Sequence, residues 1–594
     1  MNKLTKIILM IFSIVIIAFI AYSLLGNNAI ATSNKNQEPI SERTYPLTQL
    51  QQDFKQFQDT IEKKHPKVYT NQEELSKLYK DQYSLLRDNM SELEFYRILS
   101  PIMAKVNCGH SNITLSKEYE TYIRESGNVI PLDMKVIDDK IYILKDMSGE
   151  GIPAGSEILT INGYTSKDII STFLENLASD GSILSRKYEV INLQFNDLFY
   201  TLIDNADKFE ITYQEPQELQ VNQKTLVAIP VTKIRDRKEE LISLNIYMDM
   251  NAWAEAPSKE INQNYAVLNV NSFMSNQKLF KKNIDEFFIE VADKKIQNLI
   301  VDFRGNWGGA PKGSVLLYSY LLEQPERYFT DDAPIFFFNY KKPIKPAENK
   351  FDGNVYFLVN GTCFSTTGHL VSLLKHHNIG TIIGEETGGS FLCSGNARNY
   401  TLKNTQLRLY CSQDTYEVVT SGATPGKGVI PDYEVKPTID DYLTGNDPVK
   451  DFAIELISNK NSEAEADNHQ NSLYINQTYN FNLLFPESWE GKYYITEVEP
   501  TRIDICHIND IEDERIARLF TLHVFSNNHD FEERYNSLQE TIPMKKIYED
   551  TDLIVAVTYP SDIAYVHSEQ KYLEEYNGML GDIPEILSSI QRSF

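Results

Sequence analysis

Residues 351–398 read FDGNVYFLVNGTCFSTTGHLVSLLKHHNIGTIIGEETGGSFLCSGNAR. The uninterrupted apolar run Val355, Tyr356, Phe357, Leu358, Val359 predicts a strand buried on both faces. A small-residue turn follows, Asn360-Gly361-Thr362-Cys363-Phe364, then Ser365, then a helical pattern over 366–377. A second apolar strand over 381–384 ends in Glu385-Glu386-Thr387-Gly388-Gly389. A serine at a strand-to-helix junction lies where unpaired backbone N–H groups and the helix dipole favour a developing oxyanion. Serine is equally a favoured helix N-cap, so this stretch alone leaves nucleophile and cap both open.

The same alternation continues outward. Ala266 to Val270 begins a strand, residues 280–292 carry an amphipathic helical pattern, and Leu299-Ile300-Val301-Asp302-Phe303-Arg304 is a second strand ending in Gly305-Asn306-Trp307-Gly308-Gly309. Residues 313–322 form the next helical pattern. Strands alternating with helices argue for an α/β layer built on parallel pairing. Upstream, Leu47, Leu50, Phe54, Phe57 and Ile61 recur at helical spacing as far as His65-Pro66. A second helix is expected over 73–89 and a third, opened by the capping-box signature Ser91-Glu92-Leu93-Glu94, to about Val106. That helical region ends at Asn107-Cys108-Gly109-His110-Ser111, followed by a short alternating strand.

Residues 129–212 have a different texture. Asp138-Asp139 lies between two alternating apolar runs and reads as a hairpin. Gly155-Ser156-Glu157-Ile158-Leu159-Thr160-Ile161-Asn162-Gly163, with a helix beginning at Ser166, resembles the corresponding stretch of PDZ domains, which bind extended peptides by strand addition. Residues 209–251 read as bridging strands. The polar, aperiodic run 459–472 reads as a linker, and 474–594 as a separate α+β module with a final helix starting near Pro584.

The chain has 594 residues and a formal net charge of −26. Beyond the extreme N-terminus no Lys/Arg-rich block offers a basic face, which argues against a nucleic-acid partner. Lys3 and Lys6 precede a segment from Ile7 to Leu25 that is apolar apart from Ser13 and Ser23, with Ala29-Ile30-Ala31 as a small-residue cleavage pattern. This is an export signal or a retained membrane anchor, and either places the remainder outside the cytoplasm, anchored or secreted. The five cysteines include no C-x-x-C pair, so a zinc ribbon is not supported. Cys393 and Cys411 are candidates to pair in an oxidising compartment, and Cys363 reads as a buried thiol.

Three motifs occur in order: Cys108-Gly109-His110-Ser111, then Asp302 to Gly309, then Ser365 with Gly384 to Gly389. With the PDZ-like stretch between the first two, the chain over residues 47–457 resembles the C-terminal processing (tail-specific) serine peptidases. The resemblance implies a multi-domain α/β protein. Its parts are a signal or anchor (1–31), a tether (32–45), an N-terminal helical region (46–118) and a PDZ-like β-rich domain (127–212). An α/β/α sandwich peptidase core (213–457), a linker (458–472) and a C-terminal α+β accessory domain (473–594) follow. One style in that family uses a lysine downstream of the serine as base; Ser390 stands in its place here. The other, in the branch resembling the tricorn core protease, uses a histidine from an upstream Gly-His pair, matched by His110. The resemblance therefore implies Ser365 as nucleophile, His110 as base, and an oxyanion hole from Gly308, Gly309 and Thr366, with no cofactor or metal and a polypeptide as substrate. His369, four residues after Ser365 on one helical face, is the rival base. The family's acid precedes a Gly-Val-x-Pro-Asp segment; here Thr424-Pro425-Gly426-Lys427 precedes Gly428-Val429-Ile430-Pro431-Asp432, and Glu417, Asp432 and Glu385 are the substitutes on offer. The expected activity is an extracytoplasmic serine endopeptidase acting on unstructured or C-terminal segments. The alternative is a catalytically silent relative that binds a peptide or apolar ligand.

Overall fold

A computed structural model describes residues 39–235, 257–274, 276–468, 471–499, 501–508, 518–527, 535, 543–560 and 570–592. The chain divides into two compact units, 1–453 and 454–594. The first is built on a six-stranded sheet in the order β1 (Ser258–Ile261), β2 (Ala266–Asn269), β3 (Asn298–Asp302), β4 (Asn354–Val359), β5 (Thr381–Gly384), β6 (Tyr433–Glu434). All pairs are parallel except the edge pair β1–β2. Helices α1 (Gln277–Asp293), α2 (Pro311–Ser319) and α3 (Thr366–His376) follow β2, β3 and β4. This is the expected parallel α/β alternation, since parallel neighbours need a crossover. Strands β3 and β4 are buried along almost their whole length, which is why they read as unbroken apolar runs. Phe280, Ile284, Phe287, Phe288 and Val291 of α1 share one core with Leu299, Val301, Phe357, Val359 and Leu370. Each such fully buried side chain contributes about 1.5–3 kcal/mol of transfer free energy. The carboxyl ends of β3, β4 and β5 lie side by side and release the turns 303–309, 360–365 and 385–389 at one edge of the sheet. In open parallel sheets that is the edge where ligands bind.

Three helices, Leu47–Lys64, Gln72–Ser84 and Glu92–Lys105, precede the sheet. The Ser91/Glu94 capping box is formed in both directions. The second helix stops at Ser84, earlier than its apolar pattern, because the chain turns through Asn89 at φ 60°. The strand Asn112–Thr114 pairs antiparallel with Arg408–Cys411, which pairs with Arg398–Thr401. Asp53, fully buried, adds to this link by accepting from Asn404 N, Thr405 N and Thr405 Oγ1. The helical region is thereby stitched to a segment nearly three hundred residues later.

Between them stands a sheet in the order Val221–Val227, Lys208–Gln214, Glu157–Ile161, Lys140–Asp146, Leu132–Ile137. Asp138 and Asp139 at φ 47° and 60° close its hairpin. Helix Ser166–Asn176 starts as expected. Helix Ser185–Leu202, bent at Gln194, was not legible as an element; its buried Val190, Ile191, Phe195, Leu198 and Phe199 cover this sheet and the neighbouring helices. Residues 236–256, part of the expected bridging strands, lie outside the described residues.

The second unit holds a five-stranded antiparallel sheet, with Tyr493–Glu499 at one edge and Lys545–Glu549 at the other, and a three-stranded one. Two expectations are corrected. The stretch read as a linker is helical as far as Asn468, in a helix that begins at Pro448. The terminal helix spans Gln570–Ser588 with Pro584 inside it rather than at its start. Tyr576, Met579, Ile583, Ile586 and Leu587 form one buried stripe, so tertiary packing outweighs the local proline signal. All five cysteines are free and buried, so Cys393 and Cys411 do not pair. The N-terminal segment read as signal or anchor lies outside the described residues, and among those described no helix is long and apolar enough to cross a membrane.

Candidate active site

The turn after β4 is fixed by its own side chains. Asn360 Oδ1 accepts from Thr362 N at 3.1 Å, Thr362 Oγ1 accepts from Gly305 N at 2.6 Å, and Cys363 Sγ donates to Phe303 O at 3.3 Å. Burial pushes the Cys363 thiol well up, so no thiolate forms there. The turn delivers Ser365 at φ 55°, ψ −123°, outside the regions an L-residue ordinarily occupies. Its carbonyl accepts from His369 N at 3.0 Å, as an N-cap carbonyl should. Its hydroxyl caps nothing. It lies 2.9 Å from His110 Nε2, joining residues 255 apart in sequence.

His110 reaches that position from the turn Asn107–Ser111, where Asn107 adopts φ 54° and Ser111 N donates to Cys108 O. Its imidazole packs at 4.4 Å against the ring of Phe364. Burial, then the nearby Arg186 charge and His369, push its pKa down to about 3, so the ring is neutral near pH 7 and able to accept a proton at Nε2. Its Nδ1 is buried without an acceptor. None of the substitute acids bonds to this nitrogen. Asp432 accepts from Ile382 N and pairs with Lys375; Glu417 lies on a strand beside Leu392; Glu385 borders a cavity of about 430 Å³ with Glu189 and Lys436. Burial first, and Glu189 next, raise Glu385 to about 7. Among the described residues no metal-binding group of His, Cys, Asp or Glu is assembled.

His369, the rival base, is buried on α3 and points to Cys393, with Nε2 3.4 Å from Sγ, its ring edge-on to Phe329. Ser390, in place of the family's lysine, is buried behind the serine, where Gly389 would press any Cβ to 2.8 Å from Ser365 N.

The glycine turn meets the serine directly. A Cβ on Gly308 would stand 2.7 Å from Ser365 Cβ and 3.0 Å from Thr366 N. Gly308 and Gly309 adopt φ 102° and 134°, which only glycine tolerates. Sequence reasoning missed the residue that sets this turn. Asn306, fully buried, donates from Nδ2 to Val270 O at 2.7 Å and accepts Gly308 N at 2.9 Å. The Gly308 N–H is therefore already engaged. The Gly309 and Thr366 N–H groups have no acceptor among the described residues, and Thr366 Oγ1 donates to Gly309 O at 2.6 Å, tying the two donors together. Two more residues carried no sequence signal: Asp180 and Arg186, both buried, bonded to the two sides of the Gly109 peptide.

Residues 264–435 match the family model described as Peptidase family S41. No curated protein matches the chain. Among solved structures, mature CPAF is 13% identical, with 69% of this chain and 96% of that one covered at a TM-score of 0.49. The photosystem II D1 C-terminal processing protease is 15% identical, with 65% and 93% covered at 0.36. The tricorn protease is 16% identical, with 70% and 37% covered at 0.32. The family match falls on the sheet and turns that carry Gly308, Gly309 and Ser365. Over residues 264–435, which carry Gly308, Gly309 and Ser365, the chain is similar to peptidase family S41.

Proposed function

We propose that the protein is an extracytoplasmic serine endopeptidase that cleaves unstructured or C-terminal polypeptide segments, with Ser365 as nucleophile and His110 as base. The 2.9 Å contact between His110 Nε2 and Ser365 Oγ carries this reading. In the proposed step Nε2 takes the hydroxyl proton as Oγ attacks the scissile carbonyl carbon. The oxyanion forms against the N–H groups of Gly309 and Thr366 at the start of α3, rather than against Gly308, whose N–H Asn306 occupies. His110 then gives its proton to the leaving amine, the C–N bond breaks, and water hydrolyses the acyl ester by the same route in reverse. We assign the sheet over 127–212 as a PDZ-like module that presents polypeptide to the site by strand addition. The Lys3/Lys6 and Ile7–Leu25 pattern supports placing it beyond the membrane, by anchor or by export.

A fluorophosphonate probe, which phosphonylates an activated serine hydroxyl, tests this in the full chain. Labelling that Ser365→Ala abolishes and His110→Ala strongly slows is the expected result. No labelling of folded wild-type protein would overturn the enzyme reading and leave a ligand-binding relative.

A further inference from the structure

A histidine base needs its ring held in one orientation, and a carboxylate on Nδ1 is the usual means. Here Nδ1 is buried with no acceptor, and no candidate acid reaches it. Yet the backbone just before the ring is held on both sides. Gly109 N donates to Asp180 Oδ1 at 2.7 Å, and Gly109 O accepts from Arg186 Nη2 at 3.0 Å. Arg186 Nη1 also donates to Ala178 O at 2.8 Å, which ties the guanidinium to the loop that carries Asp180. The loop itself is fixed by Gly181 N donating to Asn107 O and Ser182 N to Gly426 O. The same guanidinium lies 4.4 Å over the Phe364 ring, whose other neighbour, also at 4.4 Å, is the His110 imidazole. Gly109 leaves no slack: a Cβ there would stand 2.8 Å from the Phe364 ring and 3.2 Å from Arg186 Nε. Asp180 is fully buried and Arg186 4% exposed, with the second carboxylate oxygen of Asp180 unpaired. Burying both charges costs several kcal/mol unless they are well bonded, so a pair kept there is weak evidence of stability and better evidence of a specifying role.

We propose that Asp180 and Arg186 are positioning residues for His110: by gripping the Gly109 peptide from both sides and bracing the Phe364 ring, they fix the imidazole as an acid on Nδ1 would. The proposal rests on reading His110 as the base. It accounts for the orienting task of the acid absent before Gly428, since the grip acts on backbone and ring face rather than on a ring nitrogen.

The test measures fluorophosphonate labelling of the full chain, as maximal rate and half-saturating probe concentration, with thermal melting as the control for folding. Asp180→Ala is expected to lower the maximal rate about ten- to a hundredfold while the half-saturating concentration stays within about twofold, the pattern of a misplaced catalytic group. Asp180→Asn, whose amide oxygen still accepts from Gly109 N–H, is expected to restore the rate to within about threefold of wild type. Combined with His110→Ala, Asp180→Ala is expected to add less than about twofold, because its effect passes through the ring. Gly109→Ala, which crowds Phe364, should reproduce the rate loss and supplies the answer where Asp180→Ala does not fold. Wild-type labelling in both Asp180→Ala and Gly109→Ala would overturn the proposal. So would an Asn variant no better than the Ala variant, or an undiminished Asp180 effect in the His110→Ala background. Should His110→Ala itself label at the wild-type rate, the base assignment fails instead, a result separate from the others.

Discussion

Two histidines stand near Ser365, and they have opposite surroundings. His369 is its neighbour in sequence and on the same helix, yet its Nε2 turns to Cys393 and its ring is enclosed by the core. His110 is 255 residues away and reaches the serine hydroxyl at 2.9 Å. Burial depresses both, to about 4 and about 3. A lowered pKa therefore marks enclosure, and does not distinguish a base from a packed side chain. What distinguishes them is direction. Ser365 leaves the helix at a positive φ, which carries its hydroxyl away from the His369 turn and toward the loop that bears His110.

The largest expected effect breaks the pair itself. Ser365→Ala should abolish fluorophosphonate labelling, and His110→Ala should slow it by about 10³-fold or more, while His369→Leu leaves it within about threefold. Comparable losses from the two histidines would erase the contrast. Next in size is Gly308→Ala. Its Cβ would meet Ser365 Cβ at 2.7 Å in a backbone conformation reserved for glycine, so labelling should fall about 10²-fold with the melting temperature also lowered. A variant with full rate would show that the turn has room the geometry denies.

The third expectation uses pH. With its folded pKa near 3, His110 stays neutral through mildly acid conditions, so the acid limb of the labelling rate should lie well below pH 6.5. A limb centred near 6.5 would mean a hydrated imidazole and a more open site. The smallest effect concerns stability. His369 has a folded pKa of about 4, below the ordinary 6.5 it regains on unfolding. Its contribution is complete above pH 6.5. It is lost as pH falls from there toward 4, where the unfolded chain binds the proton more tightly, a change of about 3 kcal/mol. His369→Leu should flatten this part of the urea-stability profile without touching the rate. A slope unchanged in that variant would assign the acid sensitivity to other groups.

The sheet was legible because its strands are buried on both faces, and such strands announce themselves as unbroken apolar runs between glycine turns, as at 299–303 and 355–359. Ser365 and His110 were legible as candidate residues, but the distance between them was not, because it depends on the pairing of Asn112–Thr114 with Arg408–Cys411, a contact between distant segments. The N–H of Gly308 was expected to face an oxyanion; the side chain of Asn306 takes it, a bond that no spacing rule announces. Asp180 was invisible for a similar reason. It lies in a loop between two helices, one of which, Ser185–Leu202, mixes polar and apolar residues because it packs on more than one neighbour. The polar run from 459 was read as a linker because helix formation there needs no apolar periodicity, only residues such as Glu, Ala and Lys that favour it.

The backbone at Ser365 has one more implication. A residue held at φ 55°, ψ −123° costs about 1–3 kcal/mol that glycine there would largely recover. Glycine is also an acceptable N-cap, and this serine makes no cap bond for glycine to lose. Random substitution thus has a downhill direction at this position, toward a more stable protein without a hydroxyl. Ser365→Gly is therefore expected to raise the melting temperature while removing the hydroxyl that meets His110, so stability and the 2.9 Å contact pull in opposite directions at this position.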